Sequence, residues 1–301
     1  MGALTIALSL LAALSNACAS VLQRLAAAKE DSESEAGHAV NWFVHVLRRP
    51  AWLAGFALLL LSTVLQGAAL ALGSLSVVQP LLTSELLFTL AVGSIAFHHP
   101  PDRRTWMAFA ALGLGLALFL AAAAPSDGKA VAPAGHWLIA GGAVLFVVVV
   151  LVVVARLTSG APRATLLGLA AAMSFSVTAA LLKEVVGRIQ LGWAGVFSHW
   201  APYATAVAGL TAFLLMQGAF RAGSLTASQP ALTLGDALTS VALGWALFDE
   251  RIGLGIRIIP EILGVLLIGA GSLGLAGAPS VNGAWDTAPA AKGREAGEEK
   301  S

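Results

Sequence analysis

The chain has 301 residues, of which 58% are hydrophobic and only 11% charged, and its mean hydropathy is +0.84. A soluble domain is about 25% charged, so the deficit excludes an ordinary cytosolic enzyme, a nucleic-acid binder and a disordered chain. The net charge of +1 says nothing about partners, and the single cysteine, Cys18, excludes a disulfide framework and a thiolate zinc site.

A helix that crosses a bilayer needs about 20 mostly apolar residues. In chain order such stretches are predicted over residues 3–27, 51–72, 75–97, 104–124, 137–156, 165–186, 201–222, 225–248 and 258–278. Lipid offers no partner for backbone N–H and C=O groups, so each span must satisfy its own as a helix. The alternation expected of a barrel is absent. The first stretch lacks the basic n-region of a signal peptide. Cys18 lacks the upstream Leu of a lipoprotein signal. The longest connection, from Ala28 to Pro50, opens acidic, and its stretch from Val40 to Leu47 is expected to form a short interfacial helix. The tail beyond Pro279 is rich in Ala, Gly, Pro and charge and reads as disordered.

Cytoplasmic loops carry the excess of Lys and Arg. With nine spans, one face holds Lys129, Lys183, Arg188, Arg251 and Arg257, and the opposite face holds the other twelve of the 17 basic residues. The expectation is a multi-pass protein of the plasma membrane, with its N-terminus outside and its C-terminus cytoplasmic.

Two stretches repeat one another. QGAALALGSLSVVQP (66–80) matches QGAFRAGSLTASQP (217–230) with one gap. Beyond them Thr83 aligns with Thr233, Glu85 with Asp236 after a one-residue slip, and Gly113 with Gly264. Upstream, Trp42 falls opposite Trp193, Ser15 opposite Ser174 and Arg24 opposite Lys183. Low complexity explains shared Ala and Leu but not shared Gln, Pro, Ser and Trp in order. The repeat unit is four spans, and the odd fifth span turns the second copy over. The predicted architecture is therefore all-α, polytopic, with about nine transmembrane helices as a 4+1+4 inverted repeat, a common plan among secondary transporters. Residues 1–124 form the first repeat, 125–164 a linker with the fifth span, 165–278 the second repeat and 279–301 a cytoplasmic tail. The fifth span, apolar all round, reads as a peripheral helix facing lipid.

The stretch GWALFDERIGLGIRIIPEILGVLLIGAGSLGL, from Gly244 to Leu275, joins an apolar helix, a Glu at its exit (Glu250), a short loop and a Gly-rich last helix. It resembles the end of the repeat in the drug/metabolite transporter superfamily. The first copy departs from that pattern, with His98, His99 and Pro100 where the Glu would stand. The superfamily commonly has ten helices as five plus five, against nine spans here. The nine spans, LRRPAWLAG (47–55) and the SxxxP-like openings of spans 3 and 8 look more like the NIPA-type magnesium-transporter branch. The resemblance covers roughly residues 1–278 and implies a transporter fold, with magnesium as one implied substrate.

Two ionisable residues fall near the middle of a span, Glu85 in span 3 and Asp236 in span 8. A charge at the bilayer centre costs about 2.5–3.5 kcal/mol on insertion scales, so matched acids in two repeats need a reason. One is a pair of carboxylates on a central cavity, either coupling to protons or acting as oxygen ligands of a cation. The plain alternative is a carboxyl that glues helices by hydrogen bonds. Gln79-Pro80 and Gln229-Pro230 precede these acids. Each Pro either occupies a helix start, where its missing N–H is harmless, or lies within a helix and frees carbonyls. Thr83, Thr233, Gln66 and Gln217 are candidates to line the same cavity, with interhelical hydrogen bonding as the alternative. Asn16, Ser15 and Ser174 are weaker candidates. Arg24 and Lys183 lie near span ends and are expected to snorkel to the interface. His98 and His99 beside Asp102 suggest a metal, but a basic turn without a third regularly spaced ligand reads as a solvated loop. His38, His45, His136 and His199 are scattered near interfaces. The glycines of span 9 (Gly264, Gly269, Gly271, Gly274 and Gly277) are expected to allow close helix packing.

These residues support a secondary transporter of a small solute. A magnesium or other cation pathway, with Glu85 and Asp236 as the metal ligands, is the alternative, and a non-transporting membrane protein is the third reading. No enzyme signature such as HExxH or a Gly-rich phosphate loop is present, so no catalytic residue and no cofactor is expected. The expected partners are the lipid bilayer and a small-molecule or cation substrate, with no nucleic acid and with a homodimer left open.

Overall fold

A computed structural model describes residues 2–31, 50–96, 102–123, 128–189, 192–223, 225–250 and 258–276. Among these residues the fold is all-α without strands, and nine helices are long and apolar enough to cross a membrane. The protein is a polytopic membrane protein. The helices are α1 (Ala3–Asp31), α2 (Pro50–Leu72), α3 in two halves (Leu75–Leu82 and Glu85–Ala96), α4 (Arg103–Ala123), α5 (Ala134–Arg156), α6 (Gly160–Gly187), α7 (Ala201–Ala222), α8 (Leu225–Phe248) and α9 (Ile258–Ala276). A one-turn helix, Trp193–Phe197, precedes α7. The predicted interfacial helix over 40–47, Trp42, His98, His99, Gly277 and the tail lie outside the described residues.

The predicted spans hold with small shifts at their ends, and one differs in kind. Span 3 is interrupted at Thr83–Ser84. Pro80 is the sixth residue of its helix, so its missing N–H leaves the Ser76 carbonyl without its helical donor. The chain then tightens: the Thr83 N–H donates to Pro80 O at 3.1 Å, and the Ser84 N–H to Leu81 O at 3.0 Å. The Ser84 hydroxyl also donates to Leu81 O, at 2.6 Å. Side-chain bonds of this kind compete with the helical ladder. Pro230 stands at the same sixth place of α8, and α8 nevertheless runs unbroken to Phe248. Both prolines are therefore inside helices rather than at their starts.

α1 packs on α2, and α6 on α7. The second half of α3 packs on α1, and α8 on α6. Across these groups, the first half of α3 meets α8 and α4 meets α9. Renaming α1–α4 as α6–α9 carries this set of pairs onto itself. α5 lies outside it. Its segment has a mean hydropathy of 3.2 with only 11% of it buried, as a lipid-facing helix should.

Where lipid removes the hydrophobic drive between helices, close backbone approach takes over. A Cβ on Gly271 would lie 2.5 Å from Leu112 N, and one on Gly264 would lie 2.8 Å from Phe119 N. Gly274 likewise abuts Ala108, so the expected close packing is present along α9 against α4. Gly269 instead faces Leu234 of α8, at 3.0 Å. On the other side, the Ser62 hydroxyl of α2 donates to Ala12 O of α1 at 2.8 Å.

Candidate functional site

The unbroken α8 places Asp236 at its middle, as the twelfth residue of a 24-residue helix. Gly235 sits flush on α6, where a Cβ would meet Leu169 and Ala172 within 2.9 Å. That approach brings α6 Ser176, fully buried, onto the acid. Its hydroxyl lies 2.7 Å from Asp236 Oδ1, 3.0 Å from Asp236 O and 3.1 Å from Ala172 O. One hydroxyl proton serves one of these acceptors at a time. Ser240, one turn on, sits at 3.5 Å from the same Oδ1. Asp236 is half-buried and held against α6. Glu85 is half-buried in the first turn of the second half of α3, directly after the break. The second half of α3, which carries Glu85, packs on α1, and α8, which carries Asp236, packs on α6.

The other predicted residues divide. Thr233 is buried, and its Oγ1 accepts from the Ser272 hydroxyl of α9 at 3.2 Å, the interhelical bond that was the plain alternative. Gln79 is buried in the first half of α3; Thr83, Gln229, Gln66, Gln217, Asn16 and Ser15 are half-buried on their helices. Ser174 is buried, with its hydroxyl donated to its own helix at Ala170 O, 2.8 Å away. Among the described residues no group of three or more His, Cys, Asp and Glu could hold a metal. A shallow apolar cleft lies between α4, α8 and α9, lined by Phe119, Leu234, Ala237, Leu238, Val265 and Ile268. Asp102 is engaged as the N-cap of α4, accepting from the Thr105 N–H at 2.9 Å and from the Thr105 hydroxyl. These hydrogen bonds, the hydroxyl's first, hold its carboxyl below the usual carboxylate range.

The expectation that Lys183 snorkels is overturned. Its side chain is 5% exposed and its Nζ donates to Glu250 Oε1 at 2.6 Å, with Glu250 itself fully buried. Lys183 also reaches Gly73 O at 3.2 Å and lies over the Phe248 ring, 4.8 Å from its centroid. The Arg24 side chain, its counterpart in the first repeat, lies outside what is described.

Local chain geometry delivers Glu250 to this place. α8 ends at Phe248, and Asp249 turns the chain with φ +55°, a left-handed conformation that Asp tolerates better than most residues. The Glu250 N–H then donates to Gly244 O at 3.1 Å. Its carboxylate reaches the start of α3, taking the Leu75 N–H at 2.7 Å, the Ser76 N–H at 2.9 Å and the Ser76 hydroxyl at 2.6 Å. Gly244 makes room, since a Cβ there would lie 2.2 Å from Glu250 Oε2. The carboxylate sits at the N-terminal end of a helix with the Lys183 ammonium beside it.

Residues 128–133 strap the same end. The Lys129 N–H donates to Phe248 O at 2.7 Å, and Lys129 Nζ pairs with Asp249 at 2.6 Å in solvent. The Ala132 N–H donates to buried Glu184 of α6 at 2.8 Å, and Arg188 grips the other Glu184 oxygen at 2.8 and 3.0 Å. At this end of the molecule the Lys183–Glu250 pair joins α6 to the exit of α8, and hydrogen bonds from Leu75 and Ser76 join α3 to the same carboxylate. The sequence reading singled out Glu250 only through its family resemblance and did not pair it with Lys183. Two signals were available: an apolar helix followed at once by Asp-Glu, and a Lys aligned with Arg24.

The chain is similar to an uncharacterized protein of Corynebacterium glutamicum, at 28% identity over 240 residues covering 75% of this chain and 81% of that protein. No family model and no solved structure matches it.

Proposed function

We propose that the protein is a secondary transporter of a small solute, working by alternating access between two inverted repeats, and that it belongs to the drug/metabolite transporter superfamily. The observation that carries this reading is the pair of Gln-Pro helices, α3 and α8. They pack on each other and each holds an acid at mid-span, where a charge is costly unless it is used. The matching set of helix pairs supports two related units, and the exposed α5 suits a linker between them. The plasma membrane is the proposed location, and the loop charges favour a cytoplasmic C-terminus, which puts the Glu250 end outside.

Purified protein in proteoliposomes, screened for uptake of organic solutes with and without a pH gradient, tests the proposal. Uptake driven by a gradient and lost in Glu85→Gln and Asp236→Asn is the expected result. Normal uptake by the double variant would remove both acids from the mechanism, and no uptake of any solute by native protein would remove the transporter reading. A magnesium pathway is the second reading. It is favoured by the oxygen-only surroundings of Asp236, with two serine hydroxyls at its carboxylate, which is the ligand chemistry of a hard cation. Mg²⁺ uptake that ignores the pH gradient would select it. A C-terminal reporter active outside the cytoplasm would overturn the orientation.

A further inference from the structure

Ser74 occupies the N-cap of α3 with φ −78° and ψ 148°, the extended backbone that a capping residue adopts. A serine there normally turns its hydroxyl onto the N–H of the second or third helical residue. This one does not: its Oγ is buried and has no hydrogen-bond partner. Its usual task falls to Glu250, arriving from the exit of α8 and taking the Leu75 and Ser76 N–H groups. The start of α3 thus has two caps, one beside it in sequence and one from another span, and one of them is idle.

We propose that Glu250 is a releasable latch on α3 and that Ser74 is the cap that takes over when the latch opens. The proposal rests on the alternating-access reading, because it gives the Glu250 end a way to open. The piece that would move is short. Leu75–Leu82 is bounded by the break at Thr83–Ser84 and weakened at Pro80. Release costs Lys183 its counter-charge and Leu75 its acceptor, and part of that cost is recovered locally. Lys183 keeps Gly73 O and the Phe248 ring. Ser76 and Val77 gain the Ser74 hydroxyl, an exchange within one turn of chain. An idle hydroxyl buried without a partner is unfavourable, and a second state that uses it accounts for its presence.

The test is a double-mutant cycle of Ser74→Ala and Glu250→Gln, read by hydrogen exchange at the Leu75, Ser76 and Val77 amides of the purified full-length protein. In the native background Ser74→Ala removes the cap of the released state and also the idle hydroxyl of the latched one. Release becomes rarer, and Leu75 exchange slows by about fivefold, the factor a lost cap produces. Ser74→Gly removes the same hydroxyl yet caps nearly as well as Ser. The latch therefore requires Leu75 exchange to slow more in Ser74→Ala than in Ser74→Gly, and equal slowing would overturn it. In the Glu250→Gln background Ser74 is the working cap, and Ser74→Ala speeds exchange at Ser76 and Val77 by about the same factor. Opposite signs establish the latch. The same sign and size in both backgrounds, as for a static structural serine, would overturn it. Should Glu250→Gln fail to fold, Glu250→Asp keeps the charge for Lys183 on a shorter arm, and the cycle is read identically. Exchange needs no transport, so a failed cycle beside intact uptake sinks the latch alone. Absent uptake beside a positive cycle sinks the transport reading alone.

Discussion

α3 and α8 carry the same Gln-Pro pair at the same place and fold differently around it. In α3 the helix stops at Thr83–Ser84 and restarts with its acid in the first turn; in α8 it continues and its acid sits at the middle. After each proline the sequences part at Ser84 and at the Leu234–Gly235 pair that aligns with it. The neighbours differ with them: Gly235 and Asp236 lie flush on α6 and are bonded by Ser176, while Ser84 bonds back to its own helix at Leu81 O. A proline thus weakens a helix, and the contacts three to six residues later decide whether it breaks. α3 gains a short piece, pinned at its start by Glu250, and α8 stays a continuous rod.

The largest effect expected from breaking this comparison is on transport. Asp236→Asn keeps an oxygen for Ser176 and so keeps α8 docked, yet it should abolish solute uptake at native expression, as should Glu85→Gln. Uptake retained by one of the two would show that a single copy carries the chemistry. Next comes the pin on α3. Lys183→Met leaves Glu250 buried without its counter-charge, and removing one partner of a buried pair costs about 3–5 kcal/mol. Thermal unfolding in detergent should fall accordingly, and Lys183→Met with Glu250→Gln should cost less than the two single changes together.

A smaller effect separates the two acids' surroundings. Ser176→Ala removes the hydroxyl that holds Asp236 and should destabilise by about 1–3 kcal/mol. Ser84→Ala removes a bond that competes with the helix and should be close to neutral by the same unfolding measurement. An equal cost would mean that the break in α3 is itself held by Ser84. The rigidity of the two pieces is also directly measurable: amides at 75–82 should exchange faster than those at 225–232, and the reverse order would remove the distinction. The smallest effect lies just outside the membrane, at Asp102. Its carboxyl is depressed below its usual 3.8 by bonds from Thr105. The stabilisation of the first turn of α4 is therefore present above the usual value and lost as pH falls through the lowered one. Protection of the Thr105 amide, relative to its intrinsic exchange at each pH, should fall in that acid range in native protein and stay flat in Asp102→Asn.

The fold was legible in the sequence because the bilayer sets a length and a composition that each span must meet alone. Residues 201–222 and α7 coincide, as do 225–248 and α8. The break in α3 was not legible, because Pro80 and Pro230 look alike until their neighbours are known. The mid-span acids were found by their cost, and the serines that hold Asp236 were missed because Ser176 has nothing unusual in a run of small residues. Lys183 and Glu250 are 67 residues apart. Each taken singly resembles a charge at a span end free to reach water, and only packing shows that they end in each other.

Gly115 and Gly264 meet reciprocally: a Cβ on the first would strike Gly264 O at 2.8 Å, and one on the second would strike Gly115 O at 3.0 Å. Each glycine fills the gap that the other leaves, so a side chain at either position would have to push the α4 and α9 backbones apart. A change at one cannot be repaired by a change at the other, because both are already as small as a residue can be. The seam therefore admits no stepwise widening, and the two positions are tied to each other as a pair.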